Sequence, residues 1–425
     1  MSRWLRAGRR GGPGLWGLYA AVLAAAPLVF DSSLSLSMLS QMGIAVIACL
    51  AFNMLLGQGG MLSFGHAVYS GLGAYFAIHA LNLVSRGELL LPVSLVPLLG
   101  GAAGLLFAAL LGYVTTRKAG TPFAMITLGV GELVAALALM FPGFFGGEGG
   151  IGGNRVVGPA FLGLSFGPQV QLYGLIALYC FVCTGLMYAF TRTPLGRMLN
   201  AVRDNPERVE FVGYSTQWVR YLAFMASGFF MGIAGGLGAL HFEIVSNDGL
   251  NATRSGAYLL FTFLGGAGFF FGPIIGAVLM VLALVLLSEL TKAWLLYLGL
   301  VFVFMVMFAP GGLASLVMAN LRLASFGRLR GLWTAYLALA GTAFAALAGA
   351  GAMIEMVYQR QLGAALGPGL SYLGARLDVT RLDSWFGAAL LLATGVGLFE
   401  LVRRRFVHEW SRVQIAVEAH SPGHT

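Results

Sequence analysis

The sequence predicts an all-α, polytopic membrane protein with about 10–12 transmembrane helices. Hydrophobic residues make up 58% of the 425 residues and charged residues only 10%, whereas about a quarter of a soluble domain is charged. Apolar runs of roughly 18–25 residues recur along the chain, which is long enough to cross a bilayer as a helix. The runs are continuous rather than alternating, which favours helices over a closed β-barrel.

Ten long apolar segments and two shorter ones are predicted in chain order. The long segments are at about 15–30, 35–56, 67–84, 93–115, 122–141, 170–190, 219–240, 293–309, 332–353 and 384–402, and the shorter ones are at about 256–267 and 272–290. Glycine-rich interruptions separate the second span from the third and the two short segments from each other. The chain is thus predicted to consist of a cytoplasmic tail with the first span (1–34), a core (35–315) and a C-terminal extension with two further spans and a cytoplasmic tail (316–425).

The basic residues predict which loops face the cytoplasm. Arginine and lysine gather in alternate loops, at 117–121, 193–220, 310–330 and from 403 onward, and the opposite loops hold few. Because cytoplasmic loops of membrane proteins carry an excess of Lys and Arg, both termini and the loop 193–220 are predicted to be cytoplasmic. The same rule accounts for the net charge of +9, so no nucleic acid is predicted as a partner.

The loop 193–220 is the longest polar segment between apolar runs. Asn205 is a favourable N-cap, and Glu207 places a negative charge near the N-terminus of the helix that would follow. Gly213 is suited to end that helix. A short helix is therefore predicted from about residue 205 to 212, outside the lipid, where it is either a docking element or part of a solvated connector.

Several kinds of catalytic site are excluded. Neither of the two lysines, Lys118 and Lys292, follows a glycine, so the chain has no P-loop to hold nucleotide phosphates. It contains no H-E-x-x-H, no G-x-S-x-G and no group of Cys and His with metal-ligand spacing. The three cysteines all lie in apolar runs, which indicates small buried residues rather than a disulfide framework. No catalytic residue, cofactor or metal site is therefore predicted in this chain.

The stretches 56–65 and 264–272 resemble each other, with one residue deleted in the second. Each lies between apolar half-segments. Paired glycine-interrupted segments in the two halves of a transporter point to the substrate path near the bilayer midplane. Glycine is also common where membrane helices simply pack closely, and the sequence alone supports both interpretations equally.

Six groups of residues carry a resemblance to a known family. They are Asn53–His66 with Gly71–Tyr75, Thr121–Leu128 with Glu132, Gly146–Gly150, Gly196 and Arg197 with Ala201–Arg203, Leu264–Gly268 with Gly272, Pro273 and Gly276, and Pro310–Leu313. In this order and at these spacings they resemble the permeases of branched-chain amino acid ABC transporters, and more specifically their LivM-like branch. The resemblance covers about residues 35–315, and the last two spans have no counterpart in it.

The resemblance implies the permease subunit of an ATP-driven ABC importer, multi-pass in the lipid of the bacterial inner membrane, for branched-chain amino acids or related small polar solutes. Such a subunit pairs with a second, related permease subunit and with two cytoplasmic ATPases, which bind ATP and Mg. A periplasmic solute-binding protein delivers the solute. In the family, the loop corresponding to 193–220 inserts a coupling helix into the ATPase. The family usually has small residues where Val209 and Phe211 stand here, so a docking surface particular to this chain is expected.

Two sets of residues are predicted to act in transport. The substrate pathway is assigned to Ser63, His66, Thr127, Glu132, Gly147, Gly265 and Gly266, and coupling to the ATPase is assigned to Gly196, Arg197, Arg203, Asp204, Asn205, Glu207 and Arg208. Glu132 is the sharpest of these, because an ionisable group within a span is costly and usually faces the protein interior or a water-filled path. An interhelical hydrogen bond is the alternative role for Glu132, and capping of the next helix is the alternative for His66.

An ion-coupled secondary transporter of small solutes is the alternative function. It needs a proton- or sodium-coupling set within the membrane, and only Glu132 qualifies. A membrane-embedded enzyme is disfavoured because the sequence offers no convincing polar constellation for catalysis. The loop 193–220 distinguishes the ABC importer from the secondary transporter, since a docking helix is required only where separate ATPase subunits drive transport.

Overall fold

The structure, a computed structural model, describes residues 13–157, 165–309, 311–325, 333–362, 369–372 and 375–419. The chain forms two compact units: unit 1 consists of residues 1–286 and 304–314, and unit 2 of residues 287–303 and 315–425. The basic tail 1–12 and Pro310, the first residue of the last family motif, lie outside the described residues.

Helices make up almost all of the regular structure. The α-helices are α1 (Pro13–Val29), α2 (Ser33–Gly59), α3 (Ala67–Ser85), α4 (Val96–Thr115), α5 (Thr121–Met140), α6 (Pro142–Phe145), α7 (Gln169–Arg192), α8 (Pro194–Asp204), α9 (Pro206–Phe211), α10 (Thr216–Phe242), α11 (Ala252–Gly265), α12 (Gly272–Leu282), α13 (Ser288–Leu290), α14 (Trp294–Phe308), α15 (Gly312–Ser325), α16 (Trp333–Leu362) and α17 (Leu382–Ala419). Short 3-10 helices occupy Val93–Leu95, Gly147–Gly149 and Asn247–Leu250, and a π-helical stretch, Ala283–Leu287, follows α12. Two antiparallel strand pairs complete the structure: β1 (Ile151–Gly152) with β2 (Ile244–Val245), and β3 (Gly369–Tyr372) with β4 (Ala375–Asp378).

The predicted all-α, polytopic class is confirmed. Nine helical stretches among the described residues are long and apolar enough to cross a bilayer, and a tenth results if α14 and α15 form one bent span. The glycine-rich interruptions occur where they were expected, because the chain leaves α-helical geometry between α2 and α3 and again between α11 and α12. The side of the membrane that each terminus faces stays a prediction.

Unit 1 is built around α10, which packs against α2, α3 and α4. Glycines make the approach possible: a Cβ on Gly104 of α4 would lie 2.3 Å from the carbonyl oxygen of Gly228, and one on Gly235 of α10 would lie 1.8 Å from that of Ser70. Small residues let membrane helices pack backbone against backbone, and van der Waals contact then supplies the packing energy that the hydrophobic effect cannot supply in lipid. Larger side chains at these positions would push α10 away from α3 and α4.

Unit 2 contains the hairpin of α16 and α17, whose connection includes β3 and β4. The two helices also approach at glycines: a Cβ on Gly349 would lie 2.5 Å from the backbone nitrogen of Leu392, and one on Gly395 would lie 2.4 Å from that of Ala346. A small apolar cluster forms beside the strands, and it consists of Ala352, Met356, Val379 and Ala388 with Met353, Tyr372, Leu377 and Trp385 packed against them.

Candidate functional site in the glycine breaks

The first glycine break, residues 60–66, carries irregular backbone into unit 1. It starts at Gly60, whose φ of +63° is a left-handed conformation that glycine adopts without strain. It ends beside Ala51 of α2. Ala51 lies about 12 Å before the end of that helix, at a rise of 1.5 Å per residue. Irregular backbone at membrane depth is tolerated only where protein or water satisfies its polar groups, so the partners of this segment determine whether it is stable.

Hydroxyl groups from two other helices satisfy the backbone of the first break. Phe64 N donates to Oγ1 of Thr127, on α5, at 3.2 Å, and Ala67 N donates to Oγ of Ser255, on α11, at 2.9 Å. Thr127 in turn donates to the carbonyl oxygen of Ala124 at 2.8 Å, which fixes its hydroxyl as an acceptor for the break. The break is therefore attached to α5 and α11 by side chains that are distant in the sequence.

His66 attaches the break to α10 and retains a buried acceptor nitrogen that no hydrogen bond uses. Its Nε2 lies 2.8 Å from Oγ of Ser227, which donates to the carbonyl oxygen of Ala51 at 2.6 Å. Because the single hydroxyl proton goes to that carbonyl, His66 Nε2 must donate, and Nδ1 is left as an acceptor. That nitrogen is buried without a hydrogen-bond partner among the described residues, as are Asn53 Oδ1 and Ser63 Oγ. Buried polar atoms without a partner are uncommon in folded proteins, which makes these three atoms candidates for contact with water or a polar solute. The ring of His66 makes no capping hydrogen bond to α3.

The second glycine break, residues 266–271, lies against the last turn of α2, directly before the first break. It starts at Gly266, whose φ is +116°. A Cβ added to Gly57, in the last turn of α2, would lie only 2.2 Å from the carbonyl oxygen of Ala267. The two stretches that resemble each other in sequence therefore meet inside unit 1, and the close backbone approach at Gly57 is compatible with both interpretations of the glycines.

The helix α8 is attached to the end of α2 where the first break begins. Asn200 Nδ2 donates to Gln58 Oε1 at 2.8 Å, and the guanidinium of Arg203 donates to the carbonyl oxygen of Gly57. The aliphatic part of Arg203 covers Gly60, where an added Cβ would lie 2.8 Å from Arg203 Cγ. The helix α8 therefore contacts both the last turn of α2 and the first residue of the first break.

The loop 193–220 contains two helices where one was predicted. The expected short helix is present as α9, and Asn205 caps it, since its Oδ1 accepts a hydrogen bond from Arg208 N at 3.1 Å. The residues before it form a further helix, α8, which the sequence analysis did not anticipate. Thr193 caps α8, because its Oγ1 accepts from Gly196 N at 3.2 Å.

The predicted coupling residues lie on α8, on α9 and at the junction between them. Gly196 is buried, Asn205 is half-buried, and the others are exposed: Arg197, Arg203, Asp204, Glu207 and Arg208. Arg203 and Asp204 form an ion pair at 3.0 Å. Only Arg203 combines this exposed position with a contact to the first break.

The end of α9 presents an apolar tip, which we define as Phe211 and Val212. Phe211 is 89% exposed and Val212 is 72% exposed, whereas Val209 in the same helix is buried. Large exposed apolar side chains rimmed by polar residues are candidates for contact with a protein partner or a membrane surface. The tip is therefore a stronger candidate for a docking contact than the charged residues around it.

Arg155 holds the connections together at the far end of α10. Its backbone N donates to Glu243 Oε1 at 2.9 Å, its Nε donates to the carbonyl oxygen of Phe166 at 2.9 Å, and its guanidinium lies 3.7 Å from the Glu243 carboxylate. Gly147, a predicted pathway residue, lies in this region, in the connection that also contains β1. It is therefore separated from the buried polar atoms of the first break by much of the length of α10.

Glu132 does not join the buried polar atoms of the first break. Thr127 of the same helix contacts the break, but Glu132 is exposed and makes no hydrogen bond or ion pair with any described residue. Gly129 and Ala136, on the same face of α5, are exposed as well. The structure thus brings together Ser63, His66 and Thr127 and leaves Glu132 on a face that unit 1 does not cover.

The sequence analysis missed three residues that hold the site together. Ser227 and Ser255 each supply a hydroxyl to the first break or its neighbour, and Asn200 anchors α8. A polar residue within an apolar run is the only signal that Ser227 gave. Among the described residues, no group of three or more His, Cys, Asp or Glu is arranged to hold a metal ion.

Comparisons with known proteins agree with this architecture. The LivM permease protein of the high-affinity branched-chain amino acid transport system of Salmonella typhimurium is 30% identical over 316 residues, which cover 68% of this chain and 71% of that protein. The LivM protein of Escherichia coli is 29% identical over 308 residues, covering 66% and 70%. The fructose import permease protein FrcC of Rhizobium meliloti is 26% identical over 221 residues, covering 48% and 59%. No solved structure matches the chain.

The family match spans both glycine breaks and the loop between α7 and α10. The family model described as branched-chain amino acid transport system / permease component matches residues 34–310. That range contains the buried polar atoms of the first break, the second break and the helices α8 and α9. The chain therefore belongs to the family of permease components of branched-chain amino acid transport systems.

Proposed function

We propose that this chain is the membrane-spanning subunit of an ATP-driven importer for branched-chain amino acids or related small polar solutes. One observation carries the proposal: α8, which lies between apolar spans, is bound through Asn200 and Arg203 to the last turn of α2, directly before the first glycine break. A helix outside the lipid that contacts irregular backbone within the bundle gives a partner's movement a direct route to the pathway. Since the sequence has no P-loop, two separate ATPase subunits bind the ATP and Mg.

The ATPase is proposed to receive the apolar tip, Phe211 and Val212, in a groove. Arg197, Glu207 and Arg208 are exposed around it and form the charged rim of the contact. Aromatic side chains at the centre of an interface, surrounded by polar residues that exclude water, carry most of the binding energy of protein complexes. Movement of the ATPases then displaces α9 and α8 together and alters the first break.

Replacing Arg203 by alanine is expected to uncouple ATP hydrolysis from transport. The variant loses the hydrogen bond to the carbonyl oxygen of Gly57, and one such bond contributes about 1 kcal/mol, which corresponds to roughly a fivefold effect. We expect ATP-dependent uptake into proteoliposomes to fall by about that factor while the ATPase rate is maintained. Arg117→Ala, which removes another exposed arginine at the end of α4, is the control and should transport normally. Equal uptake by both variants would remove Arg203 from the coupling route.

The second permease subunit is proposed to cover the face of α5 that carries Glu132. A carboxylate at the centre of a membrane helix costs about 2.5 to 3.5 kcal/mol by insertion scales, and a donor from a neighbouring subunit would remove that cost. The small residues Gly129 and Ala136 on the same face allow another helix to approach closely.

Glu132→Leu is accordingly expected to lower the amount of second permease subunit that copurifies by at least threefold, whereas Glu132→Gln, which keeps the hydrogen-bonding capacity, should retain it. Glu88→Leu, an exposed change in the connection after α3, is the matched control. If Glu132→Leu assembles as well as the wild type, the carboxylate does not lie in this interface.

The proposed function is tested by reconstitution with the ATPase subunits, the second permease subunit and the solute-binding protein. We expect uptake of a branched-chain amino acid that requires ATP on the side of the membrane where the ATPase subunits are bound. This uptake should persist when a protonophore and a sodium ionophore collapse the ion gradients. Uptake that needs the gradients and ignores ATP would establish the ion-coupled alternative. Failure of any ATPase subunit to copurify with the intact chain would also contradict the proposal.

A further inference from the structure

A cavity of about 260 Å³ lies in unit 1. It is bounded by α2, α3, α10, α11 and the connection that follows β2. Its walls are formed largely by small residues, which leave the space open: Gly71, Ala74, Ala234, Gly235 and Gly238. The volume is close to the lower end of the roughly 300 to 1,000 Å³ found for small-molecule pockets, so the cavity suits a solute smaller than a drug molecule.

The cavity adjoins the first break through α11. Arg254 lines the cavity, and the next residue, Ser255, accepts the hydrogen bond from Ala67 N at the start of α3. Ser70, one turn further along α3, also lines the cavity. A solute in this space would therefore touch the same helices that hold the break.

Two opposite charges line this cavity without being paired to each other. Arg254 and Asp248 are both exposed side chains of the cavity wall, and neither has an ion-pair partner among the described residues. Arg254 Nε donates to the hydroxyl of Tyr258 at 3.3 Å, and its guanidinium carbon lies 5.7 Å from the centre of the Tyr258 ring. Asp248 accepts only a long hydrogen bond, of 3.5 Å, from Asn251.

Arg254 retains donors for a ligand. A guanidinium has five N–H donors, and the bond to Tyr258 uses only its Nε, so the two terminal nitrogens are available for a bidentate contact with a carboxylate. Arg254 also lies in the first turn of α11, where the helix dipole adds to the positive potential. Asp248 offers a carboxylate to an ammonium group on the same solute.

We propose that this cavity is a binding subsite for a small zwitterion, in which Arg254 binds the carboxylate and Asp248 binds the ammonium group. The inference rests on the proposed function and specifies its solute class: a free α-amino acid rather than a neutral amide, urea or a sugar. A neutral solute would leave both charges without a partner, and a site built for charged groups discriminates strongly against a ligand that lacks them.

The test measures binding to the full-length chain in lipid nanodiscs by saturation-transfer NMR, without nucleotide. Three probes of similar shape are compared: L-leucine, isovalerate, which lacks the ammonium group, and isoamylamine, which lacks the carboxylate. We expect leucine to bind at least tenfold more tightly than either analogue or urea. Arg254→Ala should weaken leucine and isovalerate at least tenfold and leave isoamylamine unchanged, and Asp248→Asn should show the converse.

Two further variants keep the result interpretable. Arg254→Lys retains the charge and should recover part of the leucine affinity, which a general folding defect would not allow, and Arg86→Ala, in the connection after α3, should bind like the wild type. Absence of leucine binding to the wild type, or equal binding by Arg254→Ala, would overturn the subsite. Because the readout involves no ATP, leucine binding that depends on Arg254 in a complex that shows no ATP-driven uptake would refute the proposed function alone. ATP-driven uptake that is insensitive to Arg254→Ala would refute only the subsite.

Discussion

Replacing Phe211 by aspartate is expected to abolish most ATP-dependent transport. Phe211 is 89% exposed at the end of α9, so the substitution costs the fold of this chain little. In the proposed docking the side chain enters a groove of the ATPase, and loss of such an aromatic anchor costs about 2 kcal/mol or more. We expect uptake into proteoliposomes to fall at least tenfold, with less ATPase subunit copurifying on the permease.

A matched control separates docking from general effects of an added charge. Leu90, in the connection after α3, is also 89% exposed, so Leu90→Asp introduces the same group at an equally exposed apolar position. It should transport like the wild type. If Phe211→Asp also transports normally and retains its ATPase, the apolar tip is not a docking surface and the loop 193–220 is a connector.

Replacing Gly57 by alanine is expected to push the last turn of α2 away from the second glycine break. The added methyl group would lie 2.2 Å from the carbonyl oxygen of Ala267 and 2.4 Å from Oδ1 of Asn53. The backbone carbonyl cannot move away as a flexible side chain does, and overpacking of this kind typically costs about 1 to 3 kcal/mol. We expect uptake to fall at least tenfold. The substitution disturbs both the contact of Gly57 with the second break and the bond from Arg203 to the Gly57 carbonyl.

The control for Gly57→Ala is a glycine with open space around it. Gly185, in the middle of α7, has no atom within 4 Å of an added Cβ, so Gly185→Ala should leave transport unchanged. Gel filtration and the melting temperature of both variants would show whether the loss arises from misfolding. A well-folded Gly57→Ala variant with normal uptake would show that the contact of Gly57 with the second break has no role in transport.

Local sequence patterns predicted the elements of the fold but not how those elements meet. The apolar runs located the spans, and the glycines located both breaks, because span length and helix-breaking residues are local properties. Asn205 was identified as a cap for the same reason. By contrast, the bond between Ala67 and Ser255 joins residues 188 positions apart, and no pattern within a single run indicates that contact.

Two differences between expectation and structure have specific causes. The helix α8 was not predicted although Thr193 and Pro194 offer a cap and a favourable first turn, because its polar sequence lacks the long apolar run that marks a span. Glu132 was expected to face the interior because carboxylates avoid lipid. That rule applies to the assembled transporter. A carboxylate on a face that one subunit leaves open is still shielded from lipid when a second subunit covers that face.

In the proposed coupling route, nucleotide binding by the partner ATPases changes the first glycine break through α8. The most direct measurement is the rate at which a water-soluble maleimide labels a Ser63→Cys variant in the reconstituted complex. Ser63 is buried, and labelling of the native thiols is low because all three cysteines are buried. We predict at least a fivefold difference in labelling rate between ADP and a non-hydrolysable ATP analogue, and loss of that difference when Arg203→Ala is added. A labelling rate that is the same in both nucleotide states would contradict the account.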